Sequence, residues 1–164
     1  MECILEDLIN HISRHMTGLE VVDEDYGQLE ALEQESNDQY PLTFPAVLVD
    51  VPNGEWSNIG DLNQKGTVSV RVRLIIDCYD DTHAGSTTTD LIARRDKKRH
   101  ELHKLLQGHR IGEDSALIRS NTRFYTAAHG IKVYESTYTL TVTEFVEQDT
   151  ISTRVTSKIT LTRF

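Results

Sequence analysis

Residues 67–79, TVSVRVRLIIDCY, alternate between apolar and polar side chains. Val68, Val70, Val72, Leu74, Ile76 and Cys78 fall on one side of an extended chain, and Thr67, Ser69, Arg71, Arg73 and Asp77 on the other. A period of two held this long predicts a long strand with one buried face. Such a strand needs sheet partners and something apolar laid across it. Two amphipathic stretches can supply the cover. Residues 2–16 place Ile4, Leu5, Leu8, Ile9 and Ile12 on one helical stripe, with Gly18 as a stop just beyond. Asp90 to Gln107 reads as a second helix closed by Gly108, apolar at its ends and basic in its middle.

The remaining segments read as strands. Leu19–Val22 is one, and a further strand is expected around Gln28–Leu32. Ala46–Val51 is a short β-branched run followed by Asn53-Gly54, a dipeptide that tolerates the positive φ angles of a tight hairpin turn, so Glu55–Ile59 is expected as the return strand with Trp56 at its base. Leu117–Ala127 and Ile131–Phe145 form a pair joined through His129-Gly130, and the alternation of Ile151, Val155, Ile159 and Leu161 with polar residues predicts a terminal strand. No regular β-α-β alternation is present. The expected fold class is therefore α+β: a single domain over residues 1–146, with a mostly antiparallel sheet and two α-helices packed on one face, plus a C-terminal strand or arm over residues 147–164.

A chain of 164 residues can bury such a core without disulfides or metals. Its 38% hydrophobic and 26% charged residues suit a small core under a polar surface, or a subunit completed by neighbours. The net charge of −9 argues against a general nucleic-acid binder but permits a surface that DNA slides past. Cys3 and Cys78 are the two cysteines, and neither a secretory signal nor a membrane-length apolar run is evident, so reduced thiols in a cytosolic protein are expected.

Candidate chemistry is sparse. Asp77, Asp80, Asp81 and His83 could assemble a hydrolytic metal site at a strand end, although Asp and His there are more often turn and cap residues. His100 and His103 flank Glu101 three apart, and His11 and His15 stand four apart without the adjacent acid of a zinc-protease helix. Cys3 opens a helix and Cys78 alternates into the core face, where a cysteine acts as a small hydrophobe. No nucleophile elbow, phosphate-binding loop or dinucleotide fingerprint is present. An enzyme is the minority reading, and no catalytic residue, metal or cofactor is assigned. The sharpest charge feature is the run Arg94, Arg95, Asp96, Lys97, Lys98, Arg99 in a chain that also carries an acidic segment over residues 20–38. A basic helix is most often a solvated face. Paired with an acidic segment that includes Glu30, Glu33 and Glu35, it also suits a head-to-tail ring in which one patch meets a different patch on the next copy.

The leading helix, the proline-flanked YPLTFPAVLVD, the long QKGTVSVRVRLIIDCYDD running towards a helix that ends LHKLLQG, and the late YESTYTLTV together resemble phage and prophage tail terminator (tail completion, neck) proteins over about residues 1–145. The resemblance implies a small α+β subunit in a hexameric ring that caps the tail tube. It further implies a docking surface for the head connector, and double-stranded DNA passing through the hole without sequence recognition. Expected partners are then other copies of the chain, the tail tube protein and the head connector protein. The expected location is the host cytoplasm during assembly, and later the virion. Residues 148–164 extend past the matched part, and the acidic stretch before Tyr40 is longer than the family's usual connection. On this reading Asn53, Gly54 and Trp56 form a projecting element for contact with a neighbour or the tube, with a core-filling Trp56 as the plain alternative. The rival functions are a head-completion or connector protein and, from another class, a small metal-dependent hydrolase.

Overall fold

A computed structural model of the chain describes residues 2–33, 42–60, 62–112 and 115–145; the expected strand over residues 151–161 and the extension 147–164 lie outside that range. In chain order the elements are α1 (Glu2–His15), β1 (Val21–Glu24), α2 (Gln28–Glu33), β2 (Ala46–Val49), β3 (Asn53–Gly60), β4 (Asn63–Ile76), α3 (Asp90–Leu106), β5 (Ile118–Thr126) and β6 (Lys132–Phe145). The sheet runs β1-β2-β4-β6-β5, with β3 also on β4. Among the described strands only the β1–β2 pair is parallel. The fold is thus α+β, as the patterning predicts.

The spine is a ribbon in which β4 and β6 pair from Asn63↔Phe145 to Ile76↔Lys132. The alternation of residues 68–76 is realised directly: Val68, Val70, Val72, Leu74 and Ile76 enter one core cluster with Ile4, Leu8 and Ile12 of α1 and Leu102 and Leu106 of α3. Helices α1 and α3 therefore share one face of the sheet. Gly18, at φ 69°, takes the chain out of α1, because the left-handed conformation is nearly free of steric cost for glycine. The β5–β6 turn passes through His129 at φ 58° and Gly130 at φ 74°. A Cβ on Gly130 would stand 2.9 Å from the Cys78 carbonyl oxygen, so glycine is required there by space as well as by angle.

Two expectations are corrected. The strand expected around Gln28–Leu32 is the helix α2, too short for its period to be read from sequence. It is started locally: Gly27 at φ 95° turns the chain, the Gln28 side chain accepts from the Tyr26 amide and donates to the Glu24 carbonyl, and Leu29 is buried. α2 packs on the face opposite α1 and α3, where Leu29, Ala46, Leu48, Ile75, Ile131 and Val133 make a second core. Nor is Asn53-Gly54 a hairpin tip. β2 pairs with Val72–Ile75 and β3 continues along the same edge of β4, from Asn53↔Ser69 to Gly60↔Asn63. Gly54 keeps a negative-φ strand conformation, and the true hairpin closes between Gly60 and Asn63. The long edge of β4 offers more hydrogen bonds than an early turn, and that template overrides the local turn preference. Trp56 is half-buried, packed against the first core and over Gly66, where a Cβ would lie 2.7 Å from the ring.

Candidate functional site

The face of β4 that carries Thr67, Ser69, Arg71, Arg73 and Ile75 changes character along its length. At its carboxyl end α2 covers it. Arg73, 3% exposed, donates from Nη1 to Glu30 Oε1 at 2.5 Å and from Nη2 to the Asp25 carboxylate, so a buried cation is balanced by two acids from the β1–α2 region. Burial opposes the Arg73 charge, but the hydrogen bonds it donates to Glu30 and Asp25 outweigh it and hold its pKa above the ordinary value. The same hydrogen bond from Arg73 holds the Glu30 carboxyl below the usual range against the opposing effect of burial. Glu30, expected at an interface, is therefore engaged inside its own chain while 54% of its side chain remains exposed. The Glu33 side chain and all of Glu35 lie outside the described residues.

Towards the other end of the ribbon no described element lies over this face. Cross-strand rows Asn53–Ser69–Thr139 and Glu55–Thr67–Thr141 present hydroxyl-rich side chains, with Arg71 paired to Asp50 at 2.6 Å and Lys65 beside them. At the tip, Ile59, Leu62 and Phe145 are exposed, Phe145 at 71%. The result is a broad polar sheet surface with little net charge in a strongly acidic chain.

On the helical face, the basic run of α3 is largely compensated along its own helix. Arg94 pairs with Asp90 at 2.9 Å, Arg99 with Asp96 at 2.6 Å, and Lys97 reaches Glu101 at 4.0 Å. Lys98 Nζ donates to the Gly18 carbonyl at 2.6 Å, tying α3 to the end of α1, and Arg99 lies 5.7 Å over the ring of Phe124. Arg95 is half-buried, its Nε sealed from solvent without a hydrogen-bond partner. The structure does not bring the described acidic residues of the 20–30 segment to this helix within the same chain; Glu30 turns to β4 instead.

The other candidate groups stand apart. Asp81 accepts from His83 Nδ1 at 2.7 Å, with both side chains exposed, and that bond holds its carboxyl below the usual range. The Asp81 carbonyl accepts from Ser86 and Thr88, so the segment behaves as turn chemistry. His103 Nδ1 lies 3.1 Å from the buried Tyr138 hydroxyl; burial pushes Tyr138 up to about 12 and lowers His103, with the Arg119 charge acting on both. His11 stacks on His109 at 3.8 Å, His109 Nε2 donates to Asp7 at 2.7 Å, and His15 donates to the His11 carbonyl. Burial and then the His109 charge lower the His11 pKa. Among the described residues no group of three or more His, Cys, Asp and Glu side chains is arranged to hold a metal ion. Cys3 is exposed and Cys78 half-buried, both free thiols. No described helix is long and apolar enough to cross a membrane.

The sequence missed the Arg73 network, since alternation places Arg73 on the polar face and nothing local signals that α2 covers it. It also missed the sheet surface that no described element covers, whose Thr and Ser residues are ordinary strand formers. No family model and no curated protein matches the chain.

Proposed function

We propose that the chain is a non-enzymatic virion assembly protein, a tail terminator that forms a ring at the head-proximal end of a phage tail tube and joins it to the head connector. On this reading it acts in the host cytoplasm during assembly and stays in the virion, with double-stranded DNA passing through the lumen. The observation that carries the proposal is the half of the sheet that no described element covers. Two helices and α2 bury both faces at one end of the ribbon, while at the other end the described residues present a hydroxyl-rich face with exposed Ile59, Leu62 and Phe145 at its tip. Exposed sheet faces and strand edges are surfaces that other chains pair with or pack on, and soluble monomers usually blunt them. Little net charge on that face, in a chain of net charge −9, lets copies approach one another or a tube without strong repulsion. A small α+β subunit is also what the tail-terminator resemblance implies. Electron microscopy of tail tubes mixed with the gold-labelled chain tests the location. Label at one tube end is the expected result. Label along the tube, or on the portal side of heads alone, would contradict it.

A further inference from the structure

The outer strands of the sheet order β1-β2-β4-β6-β5 are β1 and β5, and no described strand pairs with the far side of either. The bonds already made show which peptide groups face outwards. Ala127 donates to the Ile131 carbonyl, so alternation turns the backbone groups of Tyr125 and Arg123 towards β6 and those of Phe124 and Thr122 away from it. The Thr122 amide is met by the Asn121 side chain of its own strand. At the other edge Asp25 donates to the Val49 carbonyl, which turns Asp23 towards β2 and turns Val22 and Glu24 outwards. The outward Glu24 groups are taken locally, the amide by Asp23 Oδ1 and the carbonyl by Gln28 Nε2. Val22 and Phe124 are left to offer an amide and a carbonyl to a new strand.

The two edges are opposite in charge. β5 contains Arg119 and Arg123 and no acid, whereas β1 contains Asp23 and Glu24, follows Glu20 and has no cation. None of these five side chains makes an ion pair among the described residues. Arg123 stands opposite Glu135 of β6 but lies over the Tyr125 ring, 5.0 Å from its centre. The charges also divide alike between the two faces of the sheet. Val22 packs on the first core and Val21 on the second, so Glu24 belongs to the face of α1 and α3 and Asp23 to that of α2. On β5, Arg119 is opposite Tyr138 of the first core, and Arg123 shares the other face with Tyr125, which packs on the second.

We propose that copies of the chain join edge to edge, β1 of one against β5 of the next, so that the sheet continues head to tail through the assembly. Within the sheet β5 runs opposite to β1, so a copy added in the same orientation makes an antiparallel pair. The outward groups set the register by placing Val22 opposite Phe124. Asp23 then falls opposite Arg123, Val21 opposite Tyr125, and Glu20 opposite Thr126, whose hydroxyl already accepts from Lys132. Phe124, 56% exposed, gains an apolar neighbour in Val22. Pairing β5 with β5, or β1 with β1, would set like charges against each other, which favours the head-to-tail contact over a two-fold one. So short a ladder fixes direction and register, while the uncovered sheet face supplies area. The inference rests on the assembly reading for its partner, a second copy, and adds which sides of the two copies meet.

Two variants of the full chain test this. Arg119→Glu with Arg123→Glu makes both edges acidic, and Asp23→Lys with Glu24→Lys makes both basic. Light scattering over a concentration series, on the chain alone and on tail tubes, should show that each variant by itself needs about ten-fold or more protein to assemble than the wild type. A one-to-one mixture should assemble as the wild type does, because every acidic edge then meets a basic one on the other variant. Either variant assembling normally alone, or no recovery in a mixture of two chains with wild-type circular dichroism, would overturn the proposal. Should a variant fail to fold, hydrogen exchange on the wild type decides: the Phe124 amide should exchange about ten-fold or more slowly in the assembly, and an unchanged rate would overturn the pairing. A wild type that stays monomeric throughout removes the partner and overturns it too. Edge pairing by a chain that never labels tube ends would contradict the tail reading and support this one; normal tube-end labelling by the edge variants would do the reverse.

Discussion

Replacing Arg73 tests the packing logic of the whole covered end of the sheet. Arg73 and Asp25 are 3% and 4% exposed, and Glu30 is 54% exposed, so the three charges do not contribute alike. Arg73→Met keeps most of the aliphatic volume but leaves the Asp25 carboxylate buried without its partner, a change that costs about 3–5 kcal/mol where buried pairs are broken from one side. For a domain of this size that corresponds to a fall in Tm of about 6–20 °C, at roughly 2–4 °C per kcal/mol. Glu30→Gln should cost about 1 kcal/mol or less, because its carboxylate is half in water and its attraction is screened. Arg73→Met combined with Asp25→Leu should recover most of the loss, since no charge then remains buried. Urea unfolding followed by far-UV circular dichroism reads all four proteins. The pH dependence adds a second check. The folded Glu30 carboxyl titrates below its ordinary value of 4.5, so its contribution is present above that pH and is lost as pH falls through the folded value. Arg73→Met should flatten that acid-side loss. Arg73→Met within about 1 kcal/mol of wild type, or the Arg73→Met/Asp25→Leu protein no more stable than Arg73→Met alone, would refute the reasoning.

Three further changes probe other contacts. Gly66→Ala drives a Cβ to within 2.7 Å of the Trp56 ring and should destabilise by about 1–3 kcal/mol, with a shift in tryptophan emission that reports the displaced indole. His11→Phe keeps a ring for His109 to stack on but removes a group whose pKa is depressed; stability then should fall less as pH drops below 6.5, measured by thermal melts from pH 7.5 to 5. The wild type should lose stability over that range because the folded state resists protonating His11, in the company of His15, His109 and Asp7. Lys98→Met should free the end of α1 by removing the bond to the Gly18 carbonyl, with a loss of about 0.5–1.5 kcal/mol and faster amide exchange near Gly18.

Long periodic segments were legible from sequence because their pattern repeats often enough to be unambiguous. The helix α1, the strand β4, the helix α3 and the β5–β6 pair fall within a few residues of their expected bounds. What failed was short or dependent on tertiary contacts. Six residues of α2 hold less than two turns, and Leu29 and Ala31 read equally well as strand positions. The Asn53-Gly54 turn lost to an edge already templated by β4. Arg73 sits on the face that alternation assigns to it, yet that face is buried there, because Asp25 and Glu30 arrive from a segment some 40 residues earlier in the chain. Of the expected interface residues, Glu30 proved to have an internal partner, and the α3 cations mostly have theirs within one turn.

Assembly through the sheet face that no described element covers is the central claim, and the protein's mass in solution tests it most directly. Size exclusion with light scattering is run on the chain alone and after mixing with tail tubes, for the wild type and for Thr67→Glu with Thr139→Glu, two charges placed on the uncovered rows. The wild type is expected as a discrete multiple of its 18.7 kDa mass, alone or on the tubes, while the variant stays monomeric with an unchanged circular dichroism spectrum. A wild type that remains a strict monomer in both conditions, or a variant that assembles as the wild type does, would contradict the account.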